Sequence, residues 1–266
     1  MANYLRENRL CINTDKTHIL VLCTEQKRRH MDTESVVLTT ATEEIIPSQV
    51  EYLLGFTVHQ NFGFGEFLIH GKSSVLSSLT KKIGAIKKLC KIATFKTRLS
   101  ICTSLVISRI LYMMPLYAGC PDFMLTALQN KQNEAMRLVT RRKWEVPGVR
   151  LTSTRELLRQ CGYLSVRQMA YYHSVATVHK TIVHEQPEYL YKAVTTALTS
   201  GVQHDYPTSQ AGSRQVKPAR LGITNSSFRW RATNQYARLP PSLKKEPSLK
   251  EFLSRLKEYT RVNVKV

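Results

Sequence analysis

Between Lys72 and Ala118 the chain carries nine lysines and arginines and no aspartate or glutamate: Lys72, Lys81, Lys82, Lys87, Lys88, Lys91, Lys96, Arg98 and Arg109. Within that stretch Leu79, Ile83, Ile86 and Cys90 recur at helical spacing, which predicts a helix with one buried face. Lys81, Lys88 and Lys91, seven and three residues apart, fall on a different face. The mostly apolar run from Leu99 to Ala118 is expected to pack against this helix, and Pro115 to kink or end it. A helical hairpin with a cationic outer side follows. Such a side is either simply solvated or lies along a polyanion, where clustered cations displace condensed counterions.

The rest of the chain is charged unevenly. Residues 1–66 carry a net −3, residues 67–118 a net +9, residues 119–213 a net +4 and residues 214–266 a net +10, giving +20 for the 266-residue chain. An excess of that size favours nucleic acid first and an anionic membrane surface second. The front is chemically unlike the remainder, which places a boundary near residue 70. No run reaches the roughly 20 apolar residues that a membrane span needs. The start, MANYLRENRL, lacks the apolar core of a signal peptide. The six cysteines (11, 23, 90, 102, 120 and 161) are scattered through expected strands and helices. They read as buried thiols of a reducing, intracellular compartment and not as a disulfide set.

Taken in order, Asn13, Thr14 and Asp15 form a turn that feeds an expected strand over His18–Cys23, with Lys16 at the junction. Glu25–Ser35 reads as a loop. Short β-type runs follow at Val36–Thr39 and Glu44–Ile46. Val50–Val58 is the strongest strand, with Gly55 marking a bulge or a close backbone approach. Beyond residue 71 the pattern is helical. One helix is expected over Phe123–Arg142, closed by Arg141, Arg142 and Lys143 at the negative end of its dipole. Ser153 and Gly162 bracket another, and Leu164–His184 is a long one. Thr195–Ser227 reads as a linker, and Leu249, Phe252, Leu253 and Leu256 stripe a last helix. The fold class is α+β: a small antiparallel sheet followed by mainly helical regions. The domain plan is a sheet unit at 1–71, a basic helical domain at 72–145, a helical extension at 146–194, the linker, and a basic helical tail at 228–266.

Catalytic motifs are absent. The four aspartates (15, 32, 122 and 205) are isolated, and no phosphate-binding Gly loop, CxxC, HExxH or GxSxG occurs. His173, His179 and His184 do not share a helix face as i,i+4 ligands would. No metal site is expected.

Leu10–Leu22 (LCINTDKTHILVL), Val50–Val58 (VEYLLGFTV) and the Lys-rich helical run together resemble the later part of a non-LTR retrotransposon reverse transcriptase, with jockey-like elements as the nearest type. In that family a stretch like N-x-x-K-T ends the palm, a stretch like YLG-[VF] forms the primer-gripping hairpin, and a helical thumb follows. The tail, with Phe228-Arg-Trp-Arg-Ala and Ser248–Lys257, is similar to how many such polyproteins end. The resemblance implies an RNA/DNA template-primer as partner, together with the polymerase domains that lie upstream in the family. It also implies a departure. The family's aromatic-Ala-Asp-Asp turn, whose carboxylates hold two Mg²⁺ ions, has no counterpart here. The chain is therefore expected to be a truncated piece that binds without polymerising and carries no cofactor of its own.

By the same resemblance, Lys16 matches a lysine that could act as general acid in the parent enzyme; a lysine positioning a turn is the plainer alternative. Tyr52, Leu54, Gly55 and Phe56 match the primer grip, although a core strand would equally account for Leu54 and Phe56. Lys81, Lys82, Lys88 and Lys91 are the leading phosphate contacts. Arg141, Arg142 and Lys143 either extend that track or cap a helix. Arg229 and Arg231 flank Trp230, an arrangement able to stack a base and hold its phosphates, with Trp230 as core the competing role. Two further functions stay open: a non-enzymatic nucleic-acid-binding relic of a mobile element, and a helical protein- or membrane-surface adaptor.

Overall fold

A computed structural model describes residues 4, 7–9, 13, 16–30, 36–39, 44–89, 92–141, 153–199, 227–246 and 248–265. The architecture is α+β, and the chain divides into two compact units, 1–74 and 75–266.

The first unit holds a one-turn helix and two hairpins. Helix α1 (Glu25–Arg28) lies where a loop was expected. Thr24 starts it by accepting a hydrogen bond from the Lys27 N–H at 3.3 Å. Strands β1 (Leu38–Thr39) and β2 (Glu44–Ile45) pair antiparallel, as do β3 (Val50–Leu53) and β4 (Phe56–His59), with Val50 opposite His59. The single strand expected over 50–58 is thus folded back on itself. Leu54 (φ 51°) and Gly55 (φ 80°) both take positive φ, the two-residue turn whose twist suits a tight hairpin. Gly55 is a corner and not a bulge. Phe56 packs its ring on Phe67 (centroids 4.3 Å apart), and a π-helical turn, Glu66–His70, buries Phe67 and Leu68.

The strand expected over His18–Cys23 does not form. The segment runs beside the hairpin: the Ser48 N–H donates to the Ile19 carbonyl at 2.8 Å and the Cys23 N–H to the Gln60 carbonyl at 3.1 Å. Leu20 makes only an isolated bridge to Ser48. Pro47, next to that bridge, has no N–H with which to continue a ladder.

Among its described residues, the regular structure of the second unit is helical. Helix α2 (Val75–Leu89) buries Val75, Leu79, Ile83 and Ile86, the stripe read from the sequence; Cys90 lies outside the described residues. Helix α3 (Phe95–Cys102) continues through a π-helical segment, Thr103–Ile107, into α4 (Ser108–Leu111). The chain breaks at Met113 (φ 56°), two residues ahead of Pro115, which sits in the first turn of α5 (Met114–Tyr117), where its missing N–H costs nothing. Helix α6 (Asp122–Thr140) packs on α2 and α3.

Helix α7 (Thr154–Cys161) runs from the Ser153 cap to Gly162 (φ 74°). Helix α8 (Val166–His184) begins with a capping box of Ser165 and Gln168. It is the hub of the unit: α5, α6, α9 (Glu188–Thr199), α10 (Phe228–Ala237) and α12 (Leu249–Asn263) all touch it. It can serve so many neighbours because small residues such as Ala170, Ser174 and Ala176 are buried on it beside Val175 and Val178. A short helix, α11 (Pro241–Lys244), joins α10 to α12. Val175, Val178, Tyr236, Phe252 and Leu256 share one core, so the stretches read as extension and tail pack together. Residues 195–199, expected in the linker, finish α9; of the remainder, 200–226 lie outside the described residues.

Gln168 joins the two ends of this core. Its Oε1 accepts from the Ser165 N–H (3.0 Å), while its Nε2 donates to the Val264 carbonyl (2.9 Å) beyond the last turn of α12. Cys23, Cys102, Cys120 and Cys161 are buried. Among the described residues, no helix is long and apolar enough to cross a membrane.

Candidate nucleic-acid interface

At 100° per residue, the buried stripe of α2 leaves Lys81 and Lys88 on the opposite side of the helix, and both are exposed. Lys87 is exposed on one flank and Lys82 is half-buried on the other. Between the lysines the surface is nearly bare of side chains. Gly84 and Ala85 are exposed, and a methyl group added at Gly84 would meet nothing within 4 Å. A flat helix face with cations at both ends can approach a sugar-phosphate chain closely. Lys91, Arg142 and Lys143 lie outside the described residues.

Not every cation of the basic stretch points outward. Arg98 is 6% exposed. Its Nε donates to the Val139 carbonyl (2.8 Å) in the last turn of α6, and its Nη1 to the Ala93 carbonyl (2.6 Å). It therefore caps a helix C-terminus, where a positive charge meets the negative end of the dipole. Arg141 is exposed, takes the left-handed cap position of α6, and directs a guanidinium nitrogen at the Ala93 carbonyl, 3.4 Å away. Helix capping is thus the geometry that Arg141 adopts.

The pair around Trp230 divides in the same way. Arg229 is exposed, whereas Arg231 is turned inward. The Arg231 Nη1 donates to the Ser174 Oγ at 3.0 Å and its Nη2 to the Pro115 carbonyl at 2.8 Å, tying α10 to α8 and α5. Burial pulls the Arg231 pKa down to about 10, because desolvation disfavours the charged form. The expected two-armed phosphate grip about Trp230 is not assembled, since one arm is committed to the core.

In the first unit Lys16 is exposed, and its backbone N–H donates to the Asn13 Oδ1 at 3.1 Å, so the residue closes a turn. The hairpin tip departs from a core strand. Tyr52 is 67% exposed and Leu54 78%. Gly55 at the corner and Phe56 against Phe67 supply the rigidity. Tyr52 and Thr57 border an open depression of about 660 Å³ whose other walls include Glu66, Lys72 and Ser73.

The Mg²⁺ ions that the family resemblance places in the parent enzyme would need clustered carboxylates. Among the described residues no group of three His, Cys, Asp or Glu side chains could hold a metal. Asp122, the one aspartate described, is paired with Arg167 at 3.3 Å. His179 is buried, stacks on Phe252 (ring centroids 3.5 Å apart) and shares a hydrogen bond with the Tyr236 hydroxyl at 3.2 Å, whereas His184 on the same helix is exposed.

Comparison with family models, with curated proteins and with solved structures yields no match. The fold also brings together basic residues that no sequence motif marks. Arg155 and Arg159 project from α7 and Arg261 from α12 around a second concavity. The i,i+4 spacing of the first two is legible in the sequence, whereas the third stands about a hundred residues away and only the fold reveals it.

Proposed function

We propose that this chain binds the template-primer duplex for a reverse transcriptase of the non-LTR retrotransposon type, gripping RNA/DNA phosphates along the outer face of α2. The observation that carries the reading is the exposed pair Lys81 and Lys88, set opposite a fully buried stripe in a stretch with no carboxylate from residue 67 to residue 121. Contacts of this kind go to phosphate and sugar, so binding is weakly sequence-specific. The hairpin tip, with Tyr52 and Leu54 exposed and Gly55 at its corner, supports the same reading through its primer-grip resemblance. The chain contributes binding and not polymerisation, because it holds no paired aspartates.

The test is affinity for an RNA–DNA hybrid as a function of salt. If Lys81, Lys82, Lys87 and Lys88 each neutralise a phosphate, log K falls against log salt with a slope of about −3 to −4. Lys81→Glu with Lys88→Glu flattens that slope and weakens binding by about 10- to 100-fold at low salt. Binding no tighter than that of a neutral control protein defeats the proposal. Primer extension with Mg²⁺ and nucleotides is expected to be absent, and extension by a preparation free of other polymerases defeats the second half of it.

One observation favours the adaptor reading instead. Leu89, Ile92 (95% exposed) and Phe95 leave apolar side chains in water beside the same lysines. Binding to anionic vesicles stronger than binding to hybrid would select it.

A further inference from the structure

The concavity between α7 and α12 is separate from the α2 face and measures about 510 Å³, within the usual range for a small-ligand site. Arg155, Arg159 and Arg261 border it, and Leu158, Tyr163 and Val262 supply apolar and aromatic wall. One carboxylate answers this cluster: Glu156 pairs with Arg159 at 3.2 Å. Arg261 is held in place by donating to the Gly162 carbonyl at 3.3 Å, and the Tyr163 hydroxyl is hydrogen-bonded to the Thr103 hydroxyl. Three guanidiniums around one hollow repel each other, and two of them have no acidic partner among the ion pairs of the described residues. An anion relieves that repulsion, and the planar guanidinium fork matches phosphate oxygens bidentately.

We infer that this hollow is a nucleoside-phosphate subsite, with the phosphate on Arg155, Arg159 and Arg261 and the base against Tyr163, Leu158 and Val262. Its volume suits one nucleotide and not a duplex. A free nucleotide and an unstacked nucleotide within a single strand present the same chemistry, and an aromatic wall accepts any base face. The choice of ligand rests on the nucleic-acid reading above; the site itself does not use α2.

The test follows the arginine Nε–H NMR signals of the full chain. Adenosine 5′-monophosphate, a four-nucleotide single strand, inorganic phosphate and adenosine are titrated separately. The signals of Arg155, Arg159 and Arg261 are expected to move with the nucleotide, and inorganic phosphate to need about tenfold more. Movement with the strand as well assigns a strand subsite, and movement with the nucleotide alone assigns a free nucleotide. Arg155→Gln with Arg261→Gln, checked for an unchanged melting temperature, is expected to abolish both responses. Unmoved signals overturn the inference, as does inorganic phosphate binding as tightly as the nucleotide, or a double variant that binds like the parent. Lys81→Glu with Lys88→Glu is expected to leave these signals responsive. Failure of hybrid binding with responsive guanidiniums would therefore remove the α2 proposal and spare this one.

Discussion

The two units of the chain meet the demand for burial in different ways. Residues 1–74 carry seven basic and nine acidic residues, and residues 75–266 carry 32 and 10. The front unit is built from two-stranded hairpins that rank among the least self-sufficient elements a chain can form. Its buried apolar side chains, among the described residues, are Cys23, Phe67 and Leu68. The rear unit wraps long helices around α8 and, among the described residues, buries more than ten times as many apolar side chains, those of α8, α10 and α12 in a shared cluster. The more basic unit is thus also the better packed one. Its cationic surface rests on a rigid frame, where repulsion among exposed lysines is borne by core contacts and not by the residues that carry the charge.

The contrast can be broken most forcefully at Phe252. It is fully buried and stacks on His179, so Phe252→Ala should cost about 3–5 kcal/mol. A urea titration followed by far-ultraviolet circular dichroism measures the loss. A cost below about 1 kcal/mol would mean that α12 is not part of the shared core.

Acid is the next lever. Burial lowers the pKa of both His179 and His173 from the ordinary 6.5, with Lys180 adding to the effect at His173. The fold holds these rings neutral, whereas the unfolded chain takes up protons below 6.5. Stability is therefore complete above about pH 6.5 and declines as the pH falls from there through the lowered values, by about 1.4 kcal/mol for each unit of lowering. Urea midpoints at pH 7.5 and pH 5 should show the decline in the helical signal, and His179→Gln should reduce it. A midpoint that is flat over that interval would contradict the burial.

The smallest effects are two glycine substitutions of opposite sign. Gly55→Ala forces a side chain into φ 80° at the hairpin corner and should destabilise the front unit by about 1 kcal/mol. Gly84→Ala, in the middle of α2 with open space around it, should stabilise the rear unit by about 0.5–1 kcal/mol. Native-state hydrogen exchange resolves the units separately. The same sign for both would mean that one of the two backbone environments is misassigned. Retained hybrid binding by Gly84→Ala would further show that the bare patch between the lysines is not needed for close approach.

What the sequence disclosed was local. Ser153 and Gly162 mark α7 at both ends because a cap and a left-handed stop each act on their own turn. The stripe Leu79, Ile83 and Ile86 reports burial on α2 for the same reason. The Leu54-Gly55 corner stayed hidden because Leu is a poor advertisement for positive φ, so an apolar run of nine residues read as one strand. Arg98 and Arg231 read as surface charge because their carbonyl partners, on Val139 and Pro115, are 41 and 116 residues away in the chain. The same distance in sequence concealed the meeting of Arg155 and Arg159 with Arg261. For a cation, composition reports presence, and tertiary structure decides whether it faces a helix end or the solvent.

Gln168 has a kinetic consequence. One amide group supplies the acceptor for the first turn of α8 and the donor for the carbonyl just past α12. Neither end can fray without withdrawing a partner from the other. The amide protons of residues 165–168 and those in the last turn of α12 should therefore exchange with solvent through a common opening event, at matched rates, although nearly a hundred residues of chain lie between them.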